Sequence, residues 1–325
     1  VADVSNVAAS AYDEFGLFHE NIAEFHLAVD DLPPVVRVET PVDGTDGTDG
    51  TARLVSALRW GTGEPEFVLV HGGAQNAHTW DTVALALGRP LLAVDLPGHG
   101  HSQWRADGAY SPMNLADDLA VVVAAHAPRA RVVVGMSLGG LTSMELATRH
   151  RSLVRSLVMV DITPGVNAAK TKAITDFVDG PQDFASFDDL LARTIEHNPT
   201  RSESSLRRGI LHNAAQQPDG SWQWRYDRGS HARLRDAQPP DAANDTPASP
   251  PPSPSPTSAL WDDFGSIVCP IALVRGSLSP VVDDDDIAEA RRRQPGLVVH
   301  VVDGAGHSVQ GDRPVELAAI LAAIG

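Results

Sequence analysis

The chain has a single cysteine, Cys269. That excludes an intramolecular disulfide. Its apolar setting, Ile267-Val268-Cys269-Pro270, reads as a core position rather than a reactive thiol. Basic residues are also scarce: 25 Lys and Arg stand against 42 Asp and Glu, a formal net charge of −17. This balance argues against nucleic acid and anionic membrane surfaces as partners. No apolar run approaches the roughly 20 residues that a membrane-spanning helix needs. No Lys or Arg precedes Arg37, so the N-terminal stretch lacks the positive region of a secretory signal, and a cytoplasmic protein is expected. What remains is a chain of 325 residues, 42% hydrophobic, long enough to bury a full core.

The most informative residues are Gly135-Met136-Ser137-Leu138-Gly139, a G-x-S-x-G pattern. The apolar run Val132-Val133-Val134 precedes it and a helical pattern from Leu141 follows. Strand, sharp turn and helix form the context of a nucleophile elbow, in which a strained turn leaves the serine hydroxyl exposed above a sheet. Three further segments stand in order around it. Val68-Leu69-Val70-His71-Gly72-Gly73 is an apolar strand entering a glycine turn. Leu92-Ala93-Val94-Asp95-Leu96-Pro97-Gly98-His99-Gly100 is another. Near the C-terminus, Val298 to Val302 leads into Gly304-Ala305-Gly306-His307.

By these residues the chain resembles the α/β-hydrolase superfamily, in its lid-bearing serine esterase and lactonase branch. The resemblance implies an α/β-hydrolase fold: a mostly parallel central sheet flanked by helices, with a helical lid inserted after strand six. Periodicity fits this plan. Short apolar runs near 66–71, 91–95, 131–136, 154–161, 268–274 and 297–302 read as buried parallel strands. Helical patterns near 80–87, 113–126, 139–150, 284–293 and 314–324 separate them. Val35–Glu39 and Arg53–Leu58 read as an antiparallel pair, with a flexible hairpin tip at 44–50 between them. Asp43, Asp46 and Asp49 in that tip lack the final Glu of a calcium loop.

The expected organisation is an N-terminal helical extension at 1–33, with helix-like spacing over 8–28 that either packs on the core or covers the site entrance. A core follows at 34–163 and 259–325. A lid is expected at 164–238, with helices near 166–178, 186–196 and 203–215. Residues 239–258 form a Pro/Ser-rich linker that cannot build a packed core.

The resemblance also implies chemistry. Ser137 is the expected nucleophile and His307 its base. The N–H groups of Gly73 and Leu138 are the expected oxyanion hole. His71, Gly72 and Trp80 are expected to line the substrate pocket, with His71 ordering the oxyanion turn; for Trp80 and the nearby His78, core packing is an equal reading. Most members place the triad acid after the seventh strand, where this chain has Gly276-Ser277-Leu278-Ser279-Pro280. Some take it from the end of the sixth, where Asp161 stands, so Asp161 is the expected acid. Asp283 to Asp286, with Arg291 to Arg293 at the far end, read as charge matched to a helix dipole. His99-Gly100-His101 lacks the remaining ligands of a zinc pattern. No cofactor and no metal are expected. The expected activity is hydrolysis of a small-molecule carboxylic ester or lactone through an acyl-enzyme. C–C bond hydrolysis, cyclisation or elimination by the same triad, or a ligand receptor on this fold, remain open, as does the oligomeric state.

Overall fold

The computed structural model describes residues 12–42, 52–227 and 256–325. The hairpin tip with Asp43, Asp46 and Asp49, and most of the Pro/Ser-rich linker, lie outside these residues. The strands among the described residues are β1 (Val35–Val42), β2 (Arg53–Trp60), β3 (Phe67–Val70), β4 (Leu91–Val94), β5 (Val132–Met136), β6 (Leu157–Val160), β7 (Asp183–Phe184), β8 (Ala214–Gln216), β9 (Trp222–Trp224), β10 (Ile271–Gly276) and β11 (Val298–Val302). The helices are α1 (Phe18–Phe25), α2 (Asp81–Leu87), α3 (Pro112–His126), α4 (Leu138–Arg149), α5 (Ala168–Val178), α6 (Phe187–His197), α7 (Glu203–Asn213), α8 (Pro256–Gly265), α9 (Asp284–Arg293), α10 (Val309–Asp312) and α11 (Pro314–Ile324).

Eight strands form one sheet in the order β1-β2-β4-β3-β5-β6-β10-β11. From β4 through β11 every pairing is parallel, while β1–β2 and β2–β4 are antiparallel. The central strands are apolar throughout because both faces are covered. Val68, Val70, Val133, Leu157 and Met159 pack in one core with α3, α4 and α8. Their alternates Leu69, Val132, Val134, Val158 and Val160 pack in a second core with α2 and α11. Burying each such side chain stabilises the fold by about 1.5–3 kcal/mol.

The N-terminal segment is less helical than its spacing suggests. Its helix spans Phe18–Phe25 and stops at His26, whose φ is 51°. Phe18 is buried in the second core, and Phe15, Ile22 and Leu27 pack against it, so the segment lies on the core beside α2. No helix among the described residues is long and apolar enough to cross a membrane.

Between β6 and β10 the alternation breaks and an inserted segment carries α5, α6 and α7. It also holds a three-stranded antiparallel sheet, β7-β9-β8, absent from the sequence reading. These strands have only two or three residues each, too short for a period-2 pattern to register. The segment has its own apolar cluster, including Val178, Leu190, Ile210, Trp224 and Tyr226. Lys170 on α5 ties it to the core, with Nζ 2.8 Å from Asp283 Oδ2 and 2.6 Å from Asp286 Oδ2. Asp283 is the N-cap of α9, and a reciprocal box with Asp286 satisfies the first amides of that helix.

Candidate active site

Ser137 follows β5 directly and caps α4 with φ 51° and ψ −120°, a conformation that costs a non-glycine residue energy. Packing around the turn holds it there. A Cβ on Gly135 would overlap the carbonyl of Gly139, and one on Gly139 would overlap the carbonyl oxygens of Val70 and His71. Only glycine lets α4 start this close to β3 and β5.

Asp161 follows β6 in the same way and also has a positive φ, 52°. Met136 and Val160, the residues just before Ser137 and Asp161, are register partners across the β5–β6 pairing. The two side chains therefore leave the sheet at the same end of adjacent strands. Asp161 is entirely buried, and its carboxylate is fully engaged. Oδ1 accepts the Gly276 N–H at 3.0 Å, and Oδ2 accepts both the Ser279 hydroxyl and His307 Nδ1, the latter at 2.8 Å. A carboxylate can only accept here, so His307 carries its proton on Nδ1 and leaves the Nε2 lone pair for other work. His307 Nε2 is buried and has no hydrogen-bond partner among the described residues.

His307 opens onto a cavity of about 340 Å³ between the strand ends and the inserted segment. Gly73, Met136 and Ser308 line one side, and Ile174, Phe177 and Val178 of α5 the other. Ser137 lies against this rim: a Cβ on Gly72 would stand 3.2 Å from that of Ser137. The structure thus gathers Ser137, Asp161, His307, Gly72 and Gly73 at one end of the sheet.

Two residues expected in the pocket are placed elsewhere. Trp80, at the end of the 3₁₀ turn Ala77–Trp80, is wholly buried in the core with α2 and α11. His71 is wholly buried as well, and both ring nitrogens are taken by backbone. Nδ1 donates to the Gly72 carbonyl at 2.7 Å and Nε2 accepts the Leu96 N–H at 2.9 Å. Burial lowers its pKa, in keeping with a neutral ring. His78, too, faces away from this cavity.

The turn after β3 is fastened to the turn after β4 by further bonds that the sequence did not reveal. His99 Nε2 accepts the Ala74 N–H at 3.1 Å, and Asp95 Oδ1 accepts that of Ala77 at 2.7 Å. Asn213 of the inserted segment donates to the Ala74 carbonyl at 2.7 Å. Ala74 itself has a φ of 58°, so these bonds hold a strained turn beside Gly73. Ser279 was equally invisible as a partner of Asp161: its signal is only its position in the loop where an acid commonly stands.

An arrangement of this kind can deliver a hydroxyl nucleophile and an oriented base to one atom, with backbone amides facing the oxygen that gains charge. The profile of the Alpha/beta hydrolase family matches residues 67–320. The esterase Rv0045c of Mycobacterium tuberculosis is 41% identical, over 98% of this chain and 97% of its own. A solved structure from work on transition metal inhibition of that esterase has a TM-score of 0.79 at 40% identity, covering 97% of this chain and 99% of that one. The 3-hydroxybutyrate-oligomer hydrolase of Cupriavidus necator is 29% identical, over 80% of this chain and 88% of its own. The structure of E-2-(acetamidomethylene)succinate hydrolase shares the fold, with a TM-score of 0.72 at 23% identity over 89% of this chain and 99% of that one. With strand order, elbow and family profile in agreement, the chain belongs to the alpha/beta hydrolase family.

Proposed function

We propose that this protein is a serine hydrolase that cleaves a small carboxylic ester or lactone through an acyl-enzyme. Ser137 Oγ attacks the carbonyl carbon and His307 Nε2 takes its proton. The Asp161 carboxylate stabilises the imidazolium that forms, as it already orients the neutral ring. The N–H groups of Gly73 and Leu138 receive the oxyanion. His307 then returns the proton to the departing alcohol, and activates water for deacylation. The observation that carries this reading is the Asp161–His307 bond at 2.8 Å, one strand away from a serine held at positive φ. Esterase activity in the mycobacterial relative supports the same reaction class.

The inserted segment acts as the lid in this reading. Ile174, Phe177 and Val178 present apolar surface to the acyl group, and Lys170 stands at the same wall. The test uses Ser137→Ala. It should lower turnover of an activated short-chain ester by about 10⁴-fold or more and abolish labelling by a fluorophosphonate probe. Labelling that persists in the variant, or that maps to another serine, would overturn the mechanism.

A further inference from the structure

A second group of buried polar side chains lies outside the proposed triad. His78 belongs to the 3₁₀ turn before α2, Asp81 is the first residue of α2, and His212 stands near the end of α7. Their exposures are 7%, 3% and 3%. One potential ligand atom from each lies within 4.8 Å of the other two. We propose that His78, Asp81 and His212 bind a divalent transition-metal ion, and that the ion joins the inserted segment to the core.

Unsatisfied atoms are the first argument. His212 Nε2 and Asp81 Oδ1 are buried without a hydrogen-bond partner among the described residues. A buried polar atom left unpaired loses its solvation with nothing in return. His212 Nε2 lies 3.7 Å from Asp81 Oδ2, too far for a hydrogen bond. Two ligands each about 2.0–2.1 Å from one tetrahedral zinc stand about 3.4 Å apart, so this gap is nearly the spacing an ion requires.

The outer nitrogens are the second. A ligating histidine generally gives its other ring nitrogen to an oxygen that fixes ring and tautomer. Tyr12 Oη lies 2.6 Å from His212 Nδ1, and Glu14 Oε1 lies 3.1 Å from His78 Nε2. Each imidazole thus presents its remaining nitrogen toward Asp81. The rings stack with centroids 3.9 Å apart and planes within 6°, which sets their edges side by side. A slight opening of the stack brings both lone pairs onto one ion.

The Asp81 and Glu14 carboxylates both face His78. Without metal, His78 bridges the two carboxylates through Nδ1 and Nε2, 2.9 Å from Asp81 and 3.1 Å from Glu14. An ion takes the place of the Nδ1 proton, which leaves to solvent, and the Glu14 bond is kept. Two imidazoles and one carboxylate suit zinc, cobalt(II), nickel or copper(II) better than magnesium or calcium. The three side chains line a cavity of about 130 Å³, which supplies a route in and room for a water ligand. Ala74, Gln75, Phe177 and Asn198 are shared between its wall and that of the cavity at His307.

The test is calorimetric titration of the chelator-treated full chain with zinc, alongside the visible spectrum of its cobalt(II) form. One equivalent should bind, and cobalt should give the intense bands of a site with few ligands. His212→Gln and Asp81→Asn should each weaken binding by about tenfold or more and change the cobalt bands. His307→Ala should leave both signals in place. If a ligand variant fails to fold, Tyr12→Phe, which alters only the outer partner of His212, should still weaken binding severalfold. Binding that survives both ligand substitutions, that disappears in His307→Ala, or that is absent in the unmodified chain would overturn the proposal.

Discussion

Ser279 and His307 share one oxygen of Asp161: both donate to Oδ2, while Oδ1 takes the Gly276 N–H. The loop after β10 therefore supplies donors to a carboxylate that comes from the end of β6.

Removing that charge should be costly. Asp161→Asn keeps the shape but presents an amide to Nδ1, so the wrong tautomer is favoured. Steady-state kinetics should show kcat lower by about 10²–10⁴-fold with folding retained by circular dichroism. Adding Ser279→Asp should restore about tenfold or more of that loss, because position 279 already reaches the atom that contacts His307. No recovery in the double variant would mean that the β10 loop cannot present an acid to His307.

The acidic run that opens α9 should matter to the helix and little to the reaction. Asn at Asp283, Asp284 or Asp285 should change kcat by less than about twofold, as expected for groups far from the reacting atoms. Asp286→Asn should lower the melting temperature by a few degrees, since Asp286 is buried, closes the α9 capping box and holds Lys170. A collapse of kcat in any of the first three would place the acid there instead of at Asp161.

Glu145 on α4 gives a pH dependence to stability. Its side chain is 4% exposed, and burial, then the charge of Asp263, pushes its pKa up from 4.5 to about 7. A carboxyl whose folded pKa is raised contributes fully below its unfolded pKa, and that contribution is lost as pH rises through the folded value. Melting temperature should therefore fall between about pH 5 and pH 8. Glu145→Gln should flatten this slope and raise the melting temperature by a few degrees at pH 8, with little change at pH 5. A variant with the same slope as the original chain would show that another group is responsible.

Lys170 should govern how firmly α5 stays down. Lys170→Met removes its bridges to Asp283 and Asp286. Limited proteolysis should then cut the inserted segment several times faster, and KM should rise more than kcat falls, because α5 forms a wall of the cavity. Unchanged proteolysis would mean that packing of Ile174 and Phe177 alone secures the helix.

Most of the fold was legible in the sequence because the parallel strands are apolar on both faces, and runs such as Val132-Val133-Val134 announce that directly. The elbow and the terminal Gly-x-Gly-His were legible because backbone geometry restricts which residues fit. Asp161 could be placed from its strand. Trp80 stayed open between core and pocket because nothing local distinguishes a tryptophan facing the core from one facing a pocket. Ser279, Asp95 and Asn213 were missed because each acts through a contact between segments distant along the chain. The group of His78, Asp81 and His212 escaped for the same reason: its histidines lie on opposite sides of the inserted segment's first helices in sequence and meet only in space.

Ser137, Asp161 and His307 all sit just past the ends of strands in one sheet, whereas the far wall of their cavity comes from a segment with its own apolar core. On the proposed function, the reacting residues and the wall that would shape the substrate are thus separable parts. Exchanging α5 for a helix of different profile would alter which molecules fit without touching the strand pairings that set the reacting atoms. A graft of that helix from a relative with another substrate is the natural unit for redirecting this protein, and the Lys170 anchor marks where the splice must hold.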